Sequence, residues 1–198
     1  NINLYLLVAI TGILMTATAY FGMKSLTILS AIAVPAIAVL GSTSVAMATS
    51  SVGGVQGLMN IEPTTKMALV TAVTLCVGSF ISGGTATPDF ARFSKNKKVA
   101  VSTTVVAFFI GNSLMFLFGA VGAMVTGNSD IADVMFSQGL VIPAILVLGL
   151  NIWTTNDNAL YTSALGLSNI TKLPKKKLVI ACGLIGTVGS IWLNNNFT

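Results

Sequence analysis

Apolar runs of about 20 residues, the length a helix needs to cross a bilayer core, follow one another along this chain. Six candidate spans can be read, at 4–20, 26–48, 67–90, 99–125, 139–165 and 177–193, with loops or short surface helices between them. Only 8% of the 198 residues are charged, against roughly 25% in a soluble domain, so there is too little polar side chain to cover a water-exposed surface. The expectation is an all-α membrane protein lying in a lipid bilayer. The chain opens almost at once into an apolar run and stops close behind the last one, which reads as a section of a longer protein.

The basic residues orient the spans. Lys24 lies between spans one and two, the Arg92–Lys98 group between three and four, and the Lys172–Lys177 group between five and six. Two crossings separate each of these loops from the next, so all three belong on one side. The other side holds Glu62, Asp130 and Asp133, with Lys66 as its one basic residue. Short cytoplasmic loops carry the excess of Lys and Arg, so the lysine-rich side is expected to be cytoplasmic. Topology thereby accounts for the net charge of +5 without nucleic acid. In the segment 129–138, Ser129 as N-cap followed by Asp130 and Asp133 suggests a short surface helix.

Histidine is absent, which removes the commonest metal ligand and general base. Cys76 and Cys182 both fall inside apolar runs and read as small hydrophobic residues. An intramembrane enzyme would need a nucleophile–base pair or metal ligands, and Asp157 is the one acid well inside a span. A non-transporting scaffold or receptor would leave the polar residues within the spans unexplained.

Spans one and two look like packing helices, with small residues such as Ala31, Ala33, Gly41 and Ser44 letting backbones approach and Pro35 kinking the second. Span three differs. Its stretch GSFISGGTATP (78–88) gathers glycines, hydroxyls and a proline, which make a poor continuous helix. The composition predicts a break near 79–84, of the kind transporters use to aim backbone groups at a substrate near the midplane. Phe80 there offers a flat stacking surface. Span five carries NIWTTNDN (151–158), and intramembrane polar clusters face a bundle interior or a pathway. At 100° per residue Asn151, Thr154, Thr155 and Asn158 share a face. Their neutral oxygens suit a hard monovalent cation such as sodium. Asp157 points elsewhere and reads as a structural bond to a neighbouring helix, with a proton-linked acid as the alternative.

The stretches GSFISGGTATPDFARF (78–93), FFIGNSLMFLFGA (108–120), GLNIWTTNDNALY (149–161) and SLTILSAIAVPAIAVLG (25–41) resemble the nucleobase–cation symporter family of purine/cytosine permease type. The resemblance implies a LeuT-type fold, two inverted five-helix repeats followed by two further helices. The six spans would be helices four to nine of twelve, with span three the broken helix that opens the second repeat. It also implies that Phe80 stacks on a nucleobase while Ser79, Ser82 and Gly83 meet its polar edge. Asn151, through its carbonyl, with Thr154 and Thr155 would bind sodium, and Asn156 and Asn158 would contact substrate or gate. The remaining ligands would come from helices outside this chain. The implied activity is import of a nucleobase, cytosine first, across the inner (plasma) membrane by sodium-coupled alternating access. It needs no enzyme chemistry and no cofactor beyond the coupling ion. Another nucleobase or a hydantoin-like compound, and proton coupling, stay open.

Overall fold

The computed structural model describes residues 3–62 and 67–197, with side chains described as far as residue 193; Lys66 lies outside this set. Among the described residues the chain is all-α: α1 Leu4–Phe21, α2 Met23–Ser51, α3 Gly54–Met59, α4 Leu69–Ala91, α5 Lys97–Val105, α6 Asn112–Thr126, α7 Ile131–Ser137, α8 Val141–Thr171 and α9 Lys175–Phe197. A π-helical segment, Val106–Gly111, joins α5 to α6, so the three make one long helix. Five helices are long and apolar enough to cross a membrane: α1, α2, α4, the composite Lys97–Thr126 and α9. The expected fifth span is present as α8, 31 residues long, but it is not one of these five, because the polar run 151–158 lowers its hydropathy.

The backbone corrects two expectations. Span three is not broken near 79–84: α4 runs without interruption from Leu69 to Ala91. The hydroxyls meant to weaken it are absorbed by its own turns, Ser79 donating to the Cys76 carbonyl at 3.0 Å, Thr85 to Ser82 at 2.8 Å and Thr87 to Gly83 at 2.8 Å. Such bonds occupy the polar group within the helix, and Pro88, which has no N–H to give to the Gly84 carbonyl, stands inside α4 without ending it. The irregularity lies instead in span four, at the π segment. The cap of α7 is Asp130 rather than Ser129, its carboxylate accepting the Ala132 N–H at 2.8 Å. Pro35 stands inside α2 without ending it.

The chain divides into two compact units, Asn1–Pro35 with Gly149–Thr198, and Ala36–Leu148. In the first, α1 and α9 pack antiparallel through a reciprocal pair of notches. Thr187 sits on Gly12 and Thr16 on Gly183, so closely that a Cβ on either glycine would collide with the threonine. Each threonine hydroxyl is bonded to the carbonyl four residues back, Thr16 to Gly12 at 2.6 Å and Thr187 to Gly183 at 2.8 Å. The hydroxyl oxygen and the methyl of each threonine together fill the contact, the small-residue packing that lipid-embedded helices rely on. Gly22 makes the turn from α1 to α2 with φ of 78°, a value glycine adopts without a steric penalty. The Lys175 ammonium lies beside that turn and 4.0 Å from the centre of the Tyr161 ring; Lys176 stands 5.0 Å from that of Tyr20. The turn before Lys24 and the start of α9 therefore occupy the same end of this unit.

In the second unit Phe118, buried, presses its ring on Gly41. Ser44, fully buried, donates to the Gln138 side chain at 2.7 Å, and Gln138 returns a bond to the Ser44 carbonyl at 3.0 Å. This exchange satisfies polar groups that would otherwise be costly to bury. Ala132, Val134 and Met135 of α7 are buried in the same core.

Candidate functional sites on two polar helix faces

The first face lies on α4, in the second unit. Ser79, Ser82 and Gly83, at i, i+3 and i+4, form an exposed strip of one helix face. The Ser79 hydroxyl donates locally and keeps its oxygen lone pairs for a donor, whereas the Ser82 carbonyl already accepts from Thr85. Phe80 is half-buried beside the strip. Its ring meets Phe116 of α6 edge to face, with centroids 5.4 Å apart and planes at 77°, a favoured aromatic geometry. One turn on, Gly83 faces Phe108 of the π segment, at 3.7 Å from where a Cβ would stand. The irregular stretch of span four thus backs the polar stretch of α4. Phe108 and Phe116 fall in the stretch 108–120 that carries the family resemblance, but the sequence does not say that they back α4; only their contacts do.

The second face lies on α8, in the first unit. The helix is unbroken through the run 151–158, so Asn151, Thr154, Thr155 and Asn158 do share a face, Asn151 and Thr155 exposed and the other two half-buried. The Thr154 hydroxyl donates to the carbonyls of Leu150 at 2.9 Å and Asn151 at 3.1 Å, which leaves its oxygen lone pairs outward. Asn158 accepts from the Thr162 hydroxyl at 3.0 Å through its backbone carbonyl. Asn156 is turned away from this face. It lines a cavity of about 590 Å³ bounded by α1, α8 and α9, and its amide donates to the Ile152 carbonyl at 2.9 Å.

Two residues of the run cross to α1. The Trp153 indole donates to the Thr18 hydroxyl at 3.3 Å, and the Asp157 carboxylate faces the same Thr18 side chain and the Asn158 backbone. Asp157 is only 1% exposed, and its Oδ2 has no hydrogen-bond partner among the described residues. Trp153 and Thr18 are 135 positions apart, so the local sequence carried no signal for Thr18. Cys76 and Cys182 are free thiols. Among the described residues no group of three or more His, Cys, Asp or Glu side chains could hold a metal ion. The α8 face offers neutral amide and hydroxyl oxygens, a donor set suited to a hard ion of low charge.

Long apolar helices, two of which carry strips of hydroxyl and amide groups, are the frame on which the comparison with known proteins bears. The chain belongs to the family of permeases for cytosine/purines, uracil, thiamine and allantoin, whose model matches residues 1–198. That membership places it among multi-pass membrane transporters and not among enzymes. Its relatives include the cytosine permeases of Escherichia coli strains K12 and O157:H7, each 56% identical over 197 residues, with all of this chain and 47% of the relative's length covered. The chain therefore spans about half the length of the curated relatives it matches.

Proposed function

We propose that the full-length protein containing this chain imports a nucleobase, cytosine first, in symport with sodium, by alternating access in a LeuT-type fold. The observation that carries the reading is the 56% identity to cytosine permeases along the whole chain, within which both polar faces fall. The exposed strip Ser79–Ser82–Gly83 with Phe80 beside it suits a flat heterocycle, which needs hydrogen-bond partners at its edge and an aromatic against its face. Asn151, Thr154 and Thr155 are the oxygens we assign to the sodium ion, and Asn158 continues the same face. Asn156 in its cavity is assigned a gating or substrate contact. The spans would be helices four to nine of twelve, in an inner (plasma) membrane with the loops of Lys24, Arg92–Lys98 and Lys172–Lys177 in the cytoplasm.

The deciding experiment is uptake of radiolabelled cytosine by cells expressing the full-length protein, with and without sodium, beside a Thr154→Ala/Thr155→Ala variant. Each lost oxygen to a charged partner is worth about 1.5–3 kcal/mol, so losing two should lower the apparent sodium affinity by about 100-fold or more. Uptake indifferent to both sodium and the substitutions would end the coupling assignment. If cytosine is not taken up at all, a purine, another pyrimidine or a hydantoin becomes the substrate to test, the breadth of the family's description favouring that second reading.

A further inference from the structure

Along the first unit, α1 and α9 enclose a groove of about 530 Å³. Its floor is the contact of Gly12 and Thr16 with Gly183 and Thr187, where the missing glycine side chains let the backbones meet. Its walls are apolar: Ile13 is 67% exposed, Leu184 61% and Val188 65%. At one end the lining reaches Tyr20, and above the Tyr20 ring stands the exposed Lys176 ammonium, 5.0 Å from the centroid. Lys175 and the Gly22 turn leading into Lys24 lie at the same end.

From these features we propose that the α1–α9 groove is a binding site for one anionic phospholipid, its acyl chain lying in the groove and its headgroup on Lys176. Three observations carry the assignment. From Ala9 to Tyr20 the helix rises about 16 Å at 1.5 Å per residue, close to half of a hydrocarbon core about 30 Å thick, so the groove matches one leaflet. The cations stand at one end of the groove, and basic positions between helices at the membrane surface select anionic headgroups. Tyr20, with an apolar ring and a polar tip, stands in the last turn of α1, and the ends of spans are where aromatic belts form.

The test reads lipid binding directly and does not depend on what the protein transports. The full-length protein is placed in phosphatidylcholine nanodiscs doped with either phosphatidylglycerol or phosphatidylcholine carrying a photoactivatable acyl chain, illuminated, and mapped by peptide mass spectrometry. Labelling should fall on α1 between Ala9 and Tyr20 and on α9 between Ile180 and Val188, with phosphatidylglycerol favoured. Lys176→Gln should cut the phosphatidylglycerol labelling about fivefold, the equivalent of about 1 kcal/mol per basic residue, leave phosphatidylcholine unchanged, and be rescued by Lys176→Arg. Ala17→Trp, filling the groove, should abolish labelling by both, with its melting curve as a check on folding; if it does not fold, the Lys176 pair still decides. Equal labelling by the two lipids, or none within the groove, would overturn the proposal.

Discussion

α4 and α8 each carry a run of polar residues through a helix long enough to span a bilayer, and they deal with it in opposite ways. In α4 the hydroxyls of Ser79, Thr85 and Thr87 return to carbonyls three or four residues back, and no polar side chain of the run is buried. In α8, Thr154 and Asn156 also turn back, but Trp153 and Asp157 reach across to Thr18 of α1. The first arrangement is self-contained and leaves its polar surface exposed. The second uses two side chains to hold a neighbouring helix and keeps a separate polar face. The comparison teaches that a polar run inside a span marks a special surface, without saying whether that surface meets a solute or another helix.

Substitutions can break or sharpen this contrast. The largest effect is expected at Phe80→Ala, which removes the proposed stacking surface while the helix keeps its own bonds. Stacking of a base on an aromatic is worth about 1–3 kcal/mol, so KM for cytosine should rise about 5- to 150-fold with protein levels maintained; an unchanged KM would strip α4 of its substrate role. Next comes Asp157→Ala, which deletes the contact to Thr18 and leaves a gap beside Trp153. Its unfolding free energy, followed by thermal melting in detergent, should drop by about 1–3 kcal/mol. An unchanged or raised midpoint would mean that burying the unpartnered Oδ2 costs as much as the Thr18 contact contributes.

Trp153→Phe removes the indole N–H together with part of the ring system, so about 0.6 kcal/mol, the usual value for a hydrogen bond between membrane helices, adds to a packing loss for a total of about 1 kcal/mol, with melting again the readout. Smallest of all, Thr85→Ala/Thr87→Ala should stay within about 0.5 kcal/mol of the parent, since each hydroxyl bonds only its own helix. A large loss there would show that α4 leans on these groups more than their local bonds imply.

Much of the helical plan was legible from the sequence, because span length and apolarity are local properties: 4–20 became Leu4–Phe21, and 26–48 became Met23–Ser51. Legible too was the grouping of Asn151, Thr154, Thr155 and Asn158, since a helix fixes which residues share a face. Continuity was harder to read. The glycines and Pro88 of span three argued for a break, yet propensity is a weak prior, and back-bonded hydroxyls let α4 stay whole. The irregular π segment at Val106–Gly111 arose in an apolar stretch with no such warning.

What the sequence determined by itself was the helical membrane class, the placing of the lysines in alternate loops, and the two runs where chemistry can reside. These follow from bonds within single helices and from the cost of placing polar groups in lipid. What only the tertiary structure decided were the partners: Phe116 behind Phe80, Thr18 beneath Trp153 and Asp157, and Thr187 and Thr16 seated on Gly12 and Gly183. The reason is physical. Each of these contacts joins residues far apart in the chain, and its geometry depends on how closely two helices approach, which no single helix encodes.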